Sequence, residues 1–151
     1  MTVQRQFSIF LINQPGVLAT VTSALAKARV NIVALTLMDS MEHGVLRVVC
    51  DNAAGARKVL GKAHDRWTET DVLVVELANE PGAFSKVAEV LATEHINISY
   101  AYCTGGAGGG RTTAVFKVAD LKKARKVLDK TLGGQKKSRK STKTVRRAKG
   151  K

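Results

Sequence analysis

The chain has 151 residues, 44% of them hydrophobic and 5% aromatic, a balance that suits one or two compact domains rather than a disordered polymer. The longest apolar runs, such as Val72–Ala78, fall far short of a bilayer span, and no signal-like apolar segment follows Met1, so neither a membrane protein nor an exported one is expected. The formal charge is +13, yet from Gly133 onward there are nine Lys/Arg and no acid, which leaves sixteen basic against twelve acidic residues in 1–132; the basicity reads as a tail, not a folded surface.

In chain order, Phe7–Asn13 is β-branched and aromatic enough for a strand. Val17, Val21, Leu25 and Ala28 then recur at three- and four-residue steps, the stripe of an amphipathic helix. The segments 31–39 and 44–51 flank "SMEHG" as the two arms of a hairpin, and Asp51 is placed to cap a helix whose stripe is Ala56, Val59, Leu60 and Ala63. "WTETDV" supplies a last strand and runs without a linker into "VLVVELAN". The pattern then repeats: a helix from Gly82 to about Thr93, strands at 97–104 and in "TTAVFKVAD" (112–120), and Asp120 capping "LKKARKVLDK".

The recurrence is literal in places. Residues 13–32 and 79–98 share eight identities in twenty positions at an offset of 66, and "ARKVL" occurs at both 56–60 and 124–128. Each unit reads as β-α-β-β-α-β, so the expected fold is α+β, two ferredoxin-like modules of antiparallel sheet with helices on one face. The boundaries are 1–70, 71–132 and a basic, disordered tail at 133–151. A module this short is marginal alone, burying only about 60% of its unfolded surface. The second also lacks an obvious final strand, which leaves an expected open edge for a partner.

The two modules share an Asn-x-Pro-Gly turn, Asn13–Gly16 and Asn79–Gly82. Proline presets the bend and glycine relieves it. The helix that follows begins with unpaired amides at the positive end of its dipole, an arrangement suited to a carboxylate. The asparagine side chain offers a donor and an acceptor, so one turn holds the chemistry to grip an amino acid by its backbone. The simpler alternative is a tight loop in which Asn caps the helix.

"FSIFLINQPGVLATVTSALAKARVNIVAL" and "VLVVELANEPGAFSKVAEVLATEHINISYAY" resemble the opening halves of ACT domains, and "TETDVLVVELANEPG" at the junction resembles the stand-alone tandem ACT proteins. The resemblance spans Gln6 to Leu132. It implies a non-enzymatic, amino-acid-binding regulatory protein, without a cofactor, whose ligand lies between ACT modules of a homodimer. The matching positions are Asn13, Gly16, Val17, Leu18, Asn31 and Ile32 in the first module, and Asn79, Gly82, Ala83, Phe84, Asn97 and Ile98 in the second. Asn31 and Asn97 match the family's asparagine facing ligand or turn; an Asn ending a helix in a left-handed conformation is the plainer reading. The turn has Asn where the family often has Asp, which weakens the grip expected on a ligand's ammonium.

Other classes find less support. His43, His64 and His95 form no triad or metal set with neighbouring residues. Cys50 and Cys103 lack ligand-like spacing, read as small buried hydrophobes, and suit a reducing cytoplasm. Glu69 and Asp71 read as a solvent face. "GGAGGG" (105–110) is a flexible loop or a lid, not a phosphate-binding motif. The topology also serves RNA-recognition domains, but the third strands offer one aromatic between them, which fails the stacking pattern. The remaining nucleic-acid route is non-specific, salt-dependent contact through the tail.

Overall fold

The computed structural model describes residues 1–38, 43–63, 66–105 and 110–131. The elements are β1 (Thr2–Ile12), α1 (Val17–Lys27), β2 (Ile32–Met38), β3 (His43–Cys50), α2 (Ala53–Ala63), β4 (Trp67–Ala78), α3 (Ala83–Thr93), β5 (Ile98–Thr104) and β6 (Arg111–Val118), with α4 over 121–131. The six strands form one antiparallel sheet in the order β2-β3-β1-β4-β6-β5. The two modules therefore fuse into a single sheet.

Alternation along the strands builds two equivalent cores on the helical face. Phe7, Ile9 and Leu11 of β1 and Leu46, Val48 and Cys50 of β3 lie under Val21, Leu25, Ala56 and Leu60 of the first helix pair. Leu73, Val75, Leu77, Ala114, Phe116 and Val118 lie likewise under Val87, Leu91, Ala124 and Leu128.

β1 begins at Thr2, five residues before the strand expected from the apolar run. The extension explains how the fold closes. Gln6–Ile9 pair with Thr70–Trp67, the last strand of module one, while Thr2–Gln4 pair with Val74–Val72, the first strand of module two. Thr2–Gln4 thus occupy the slot a final strand of module two would fill, and the open edge expected there is filled in part by the chain's own N-terminus. Among the described residues, module two ends on α4.

Both first helices stop the same way. The Val30 amide donates to the Leu25 carbonyl at 3.0 Å and that of Arg29 to Ala26 at 2.9 Å; Ile96 and His95 repeat the pair on Leu91 and Ala92 at 2.8 and 2.9 Å. This is the Schellman motif, and Val30 and Ile96 supply its apolar contact. The left-handed residues are Arg29 (φ 55°) and His95 (φ 54°), not Asn31 and Asn97, because each helix ends four positions before the asparagine, at Lys27 and Thr93. Since glycine bears this conformation without the ~1–2 kcal/mol cost of a side chain, His95→Gly is expected to raise stability by about 0.5–1 kcal/mol in urea unfolding.

The second helices start on side-chain caps. Asn52 Oδ1 accepts from the Gly55 amide at 2.9 Å, and Asp120 Oδ1 from the Lys123 amide at 2.9 Å. Asp120 caps as expected. In module one the cap lies one residue beyond Asp51, whose Oδ1 instead accepts from the Asn31 amide at 3.0 Å.

On the face away from the helices the sheet curls until β2 meets β5 and β6. The enclosed surface holds Ala34, Val49, Val72, Val74 and Val115. Gln6, fully buried, crosses it: its Nε2 donates to the Tyr100 hydroxyl at 2.6 Å, and its Oε1 accepts from the Tyr102 hydroxyl at 3.0 Å. Arg47 lies over the Tyr100 ring, 4.3 Å from its centroid. Module one's first strand is thereby tied to module two's edge strand.

Candidate functional site

The turns follow from their sequence. Gln14–Val17 closes with the Val17 amide on the Gln14 carbonyl at 3.4 Å, and Glu80–Ala83 with the Ala83 amide on Glu80 at 3.2 Å. Gly16 (φ 87°, ψ −16°) and Gly82 (φ 80°, ψ −7°) take the third position. Proline second and glycine third at these angles make a type II turn. No neighbour crowds either glycine, so the requirement for glycine is conformational alone. Gly16 and Gly82 are also the N-caps of α1 and α3, and neither helix has a side-chain cap bond there or an acid in its first turn. Glycine rather than asparagine thus stands at the cap, and no acid in the first turn answers the positive end of either dipole.

A cavity of about 230 Å³ opens at the first turn, lined by Leu11, Ile12, Asn13, Gln14, Val17, Leu18, Leu37, Met38 and Gly44. Three expected residues, Asn13, Val17 and Leu18, come together there, and Gly16 sets the turn that aims them. The Val17 amide is already spent on Gln14, so a carboxylate would meet the next amides of the helix. Asn31 and Ile32 are not part of this cavity. They sit beyond the opposite end of an eleven-residue helix, about 16 Å away at 1.5 Å per residue. Ile32 and Ile98 pack against the two cores, and the Asn31 and Asn97 carbonyls accept from the Asp51 and Ala119 amides at 3.1 and 3.2 Å.

The second turn differs in substance. Phe84 stands where Leu18 stands in module one and stacks on Phe116, centroids 5.0 Å apart. Ala83 packs against the second core, and the Asn79 amide donates to the Gly110 carbonyl at 3.0 Å. The lining residues Leu37, Met38 and Gly44 were not legible beforehand, because the end of a strand carries no mark of what it borders. The one signal was an apolar pair, Leu37–Met38, continuing past the last core position; both are about half exposed.

The remaining titratable groups sit elsewhere. Glu69 takes a two-pronged contact from Arg57, Nε to Oε1 at 2.6 Å and Nη2 to Oε2 at 2.7 Å, and Arg5 lies 3.4 Å from both Glu69 and Asp71. The Arg57 hydrogen bonds hold the Glu69 carboxyl below its ordinary range. The expected plain solvent face is therefore an ion-pair network. Burial pushes the Cys50 thiol up to about 11, whereas Cys103 is exposed, contrary to the expectation for it, because it sits near the end of edge strand β5. Among the described residues no group of three or more His, Cys, Asp or Glu is placed to hold a metal, and no helix is long and apolar enough to cross a membrane. His64, the hairpin tip 39–42, 106–109 of the glycine-rich stretch and the basic tail lie outside the described residues.

A family model described as an ACT domain pair matches residues 1–134. The chain is an ACT domain pair. Protein BT0572 from Bacteroides thetaiotaomicron is 33% identical to this ACT pair, with a TM-score of 0.77 over 85% of this chain and 88% of that one. The regulatory subunit of aspartate kinase from Thermus thermophilus, in its ligand-free form, is 15% identical with a TM-score of 0.64, covering 86% and 97% of the two chains. A structure of aspartokinase α and β subunits is similar at 16% identity and a TM-score of 0.61, covering 88% and 98%. At those identities the likeness to the kinases is one of fold. No curated protein matches the ACT pair significantly.

Proposed function

We propose that this ACT pair is a non-enzymatic regulatory protein that binds an amino acid, or a related small carboxylate, at its first Asn-x-Pro-Gly turn. The observation that carries the reading is the cavity at an uncapped helix start, apolar on one side and bordered by Asn13 on the other. A ligand carboxylate meets the helix dipole there, and its side chain meets Leu18, Leu37 and Met38. The regulatory subunit of aspartate kinase, similar in fold, supports the regulatory part of the reading.

Two or three charge-assisted hydrogen bonds of about 1.5–3 kcal/mol each, set against the cost of association, give micromolar to millimolar affinity, the range of a metabolite sensor. The second turn, with Phe84 on Phe116, is the weaker site. Asn31, Ile32, Asn97 and Ile98 serve the framework rather than the ligand. The exposed Ile12, Leu37 and Met38 that line the cavity support a homodimer whose interface completes the site, and the setting we propose for it is the cytoplasm.

Thermal unfolding against the twenty amino acids tests the proposal. One of them at a hundred times its dissociation constant will stabilise the chain by about 2.7 kcal/mol, and Asn13→Ala will abolish most of that gain. A flat response to all twenty overturns the reading.

A further inference from the structure

The described body is not evenly charged. α2 carries Arg57, Lys58 and Lys62 and no acid; α4 carries Lys122, Lys123, Arg125, Lys126 and Lys130 against Asp129 alone. The first helices hold only Lys27, Lys86 and Glu89. Eight of the sixteen cations of 1–132, and one of its twelve acids, thus lie on the two second helices, which corrects the expectation that the basicity is confined to the tail.

Three of these cations are answered: Arg57 by Glu69, Lys123 by Glu94 at 3.9 Å and Arg125 by Asp129 at 3.8 Å. Lys58, Lys62, Lys122, Lys126 and Lys130 are exposed and make no ion pair with a described residue. They are spaced by four, so each set forms a stripe along one helix, with ~6 Å between steps. The stripes occupy equivalent places in the two modules, since "ARKVL" sits in both. α4 then leads directly into a segment with nine further Lys/Arg and no acid.

We infer that the outer surfaces of α2 and α4 form a docking surface for the phosphate backbone of duplex nucleic acid. Charge complementarity and the sequence that follows α4 select a polyanion. The absence of any aromatic from either helix selects a duplex over a single strand, which needs rings to stack its bases. Contact of this kind is independent of base sequence and steep in salt. The surface lies on the helical side, and the lysines that form it are not among the residues lining the cavity at the first turn, so the inference stands apart from the amino-acid reading.

The test is fluorescence anisotropy of a labelled 25-base-pair DNA duplex with the full chain, titrated across sodium chloride concentration. Each lysine that meets a phosphate contributes about 0.9 to the slope of log affinity against log salt. The full-chain variant Lys122→Gln/Lys126→Gln/Lys130→Gln is therefore expected to flatten the slope by about 2.7, and Lys58→Gln/Lys62→Gln by about 1.8. The control Lys27→Gln/Lys86→Gln leaves it unchanged. Circular dichroism confirms that the exposed substitutions leave the fold intact. No retention of the duplex, a slope unaltered by the α2 and α4 variants, or binding to phosphatidylserine vesicles that the duplex does not compete away, overturns the inference.

Discussion

Gln6→Leu will cost about 2–4 kcal/mol, because it strands two tyrosine hydroxyls that now share one buried amide. Gln6 is fully buried on the inner face of the sheet and serves Tyr100 as donor and Tyr102 as acceptor. Leucine fills nearly the same space but answers neither hydroxyl, and both rings are half-buried, out of easy reach of water. The control is Gln6→Leu with Tyr100→Phe and Tyr102→Phe, which removes the polar groups together and recovers much of the loss. Chemical denaturation of the unaltered chain, the single variant and the triple variant measures it. Hydrogen exchange at β5 adds a local readout, since releasing this edge strand from β1 uncurls the sheet where the two modules meet. An unchanged midpoint for the single variant would mean that the network contributes nothing to holding the modules together.

The second large effect lies in the core of module two. Phe116→Ala should destabilise by about 3–5 kcal/mol, the range for removing a fully buried aromatic and leaving a cavity. Phe116 has no exposed surface, sits opposite Leu73 on β4, and carries the stacked Phe84 ring on its other side. Phe84→Leu, which restores the residue found at the matching place in module one, costs far less because Phe84 is 38% exposed. A comparison of the two in urea separates the core ring from the ring that lies over it. If Phe84→Leu also opens a ligand cavity at the second turn, the Phe84 ring is what fills that place.

Much of the fold was legible because the duplication wrote it twice. The helical stripes, the hairpin arms and the shared strand "WTETDVLVVEL" follow from periodicity, and β4 is that strand, continuous from Trp67 to Ala78. The N-terminal extension of β1 was not legible. "TVQRQ" alternates with polar residues, and it is a strand only because Val72–Val74 on the far module need a partner. Tertiary pairing, not local propensity, decides that segment. The same holds for Gln6, whose burial comes from the sheet curling over it; a glutamine in a polar stretch gives no hint of this.

The candidate site was legible in its turn and opaque in its walls. Pro15-Gly16 announces a tight bend and a helix start, and both are present, the bend as a type II turn. Asn31 and Asn97 share the repeat with the turns, which tied them to the same site by sequence, whereas eleven helical residues separate them in space. Ile32 and Ile98 are packing residues for the same reason: Schellman closure returns the chain to the core at Val30 and Ile96, and the next strand starts against it.

The central claim is that the open amides of α1 receive a carboxylate. Titration of ¹⁵N-labelled protein with the amino acid that stabilises it most tests this directly. The largest amide shifts are expected at Leu18 and Ala19, with smaller ones at Asn13 and Met38 and little change at Asn31. Shifts centred on the α1 C-terminus or on the inner tyrosines, with Leu18 and Ala19 unmoved at saturation, would contradict it.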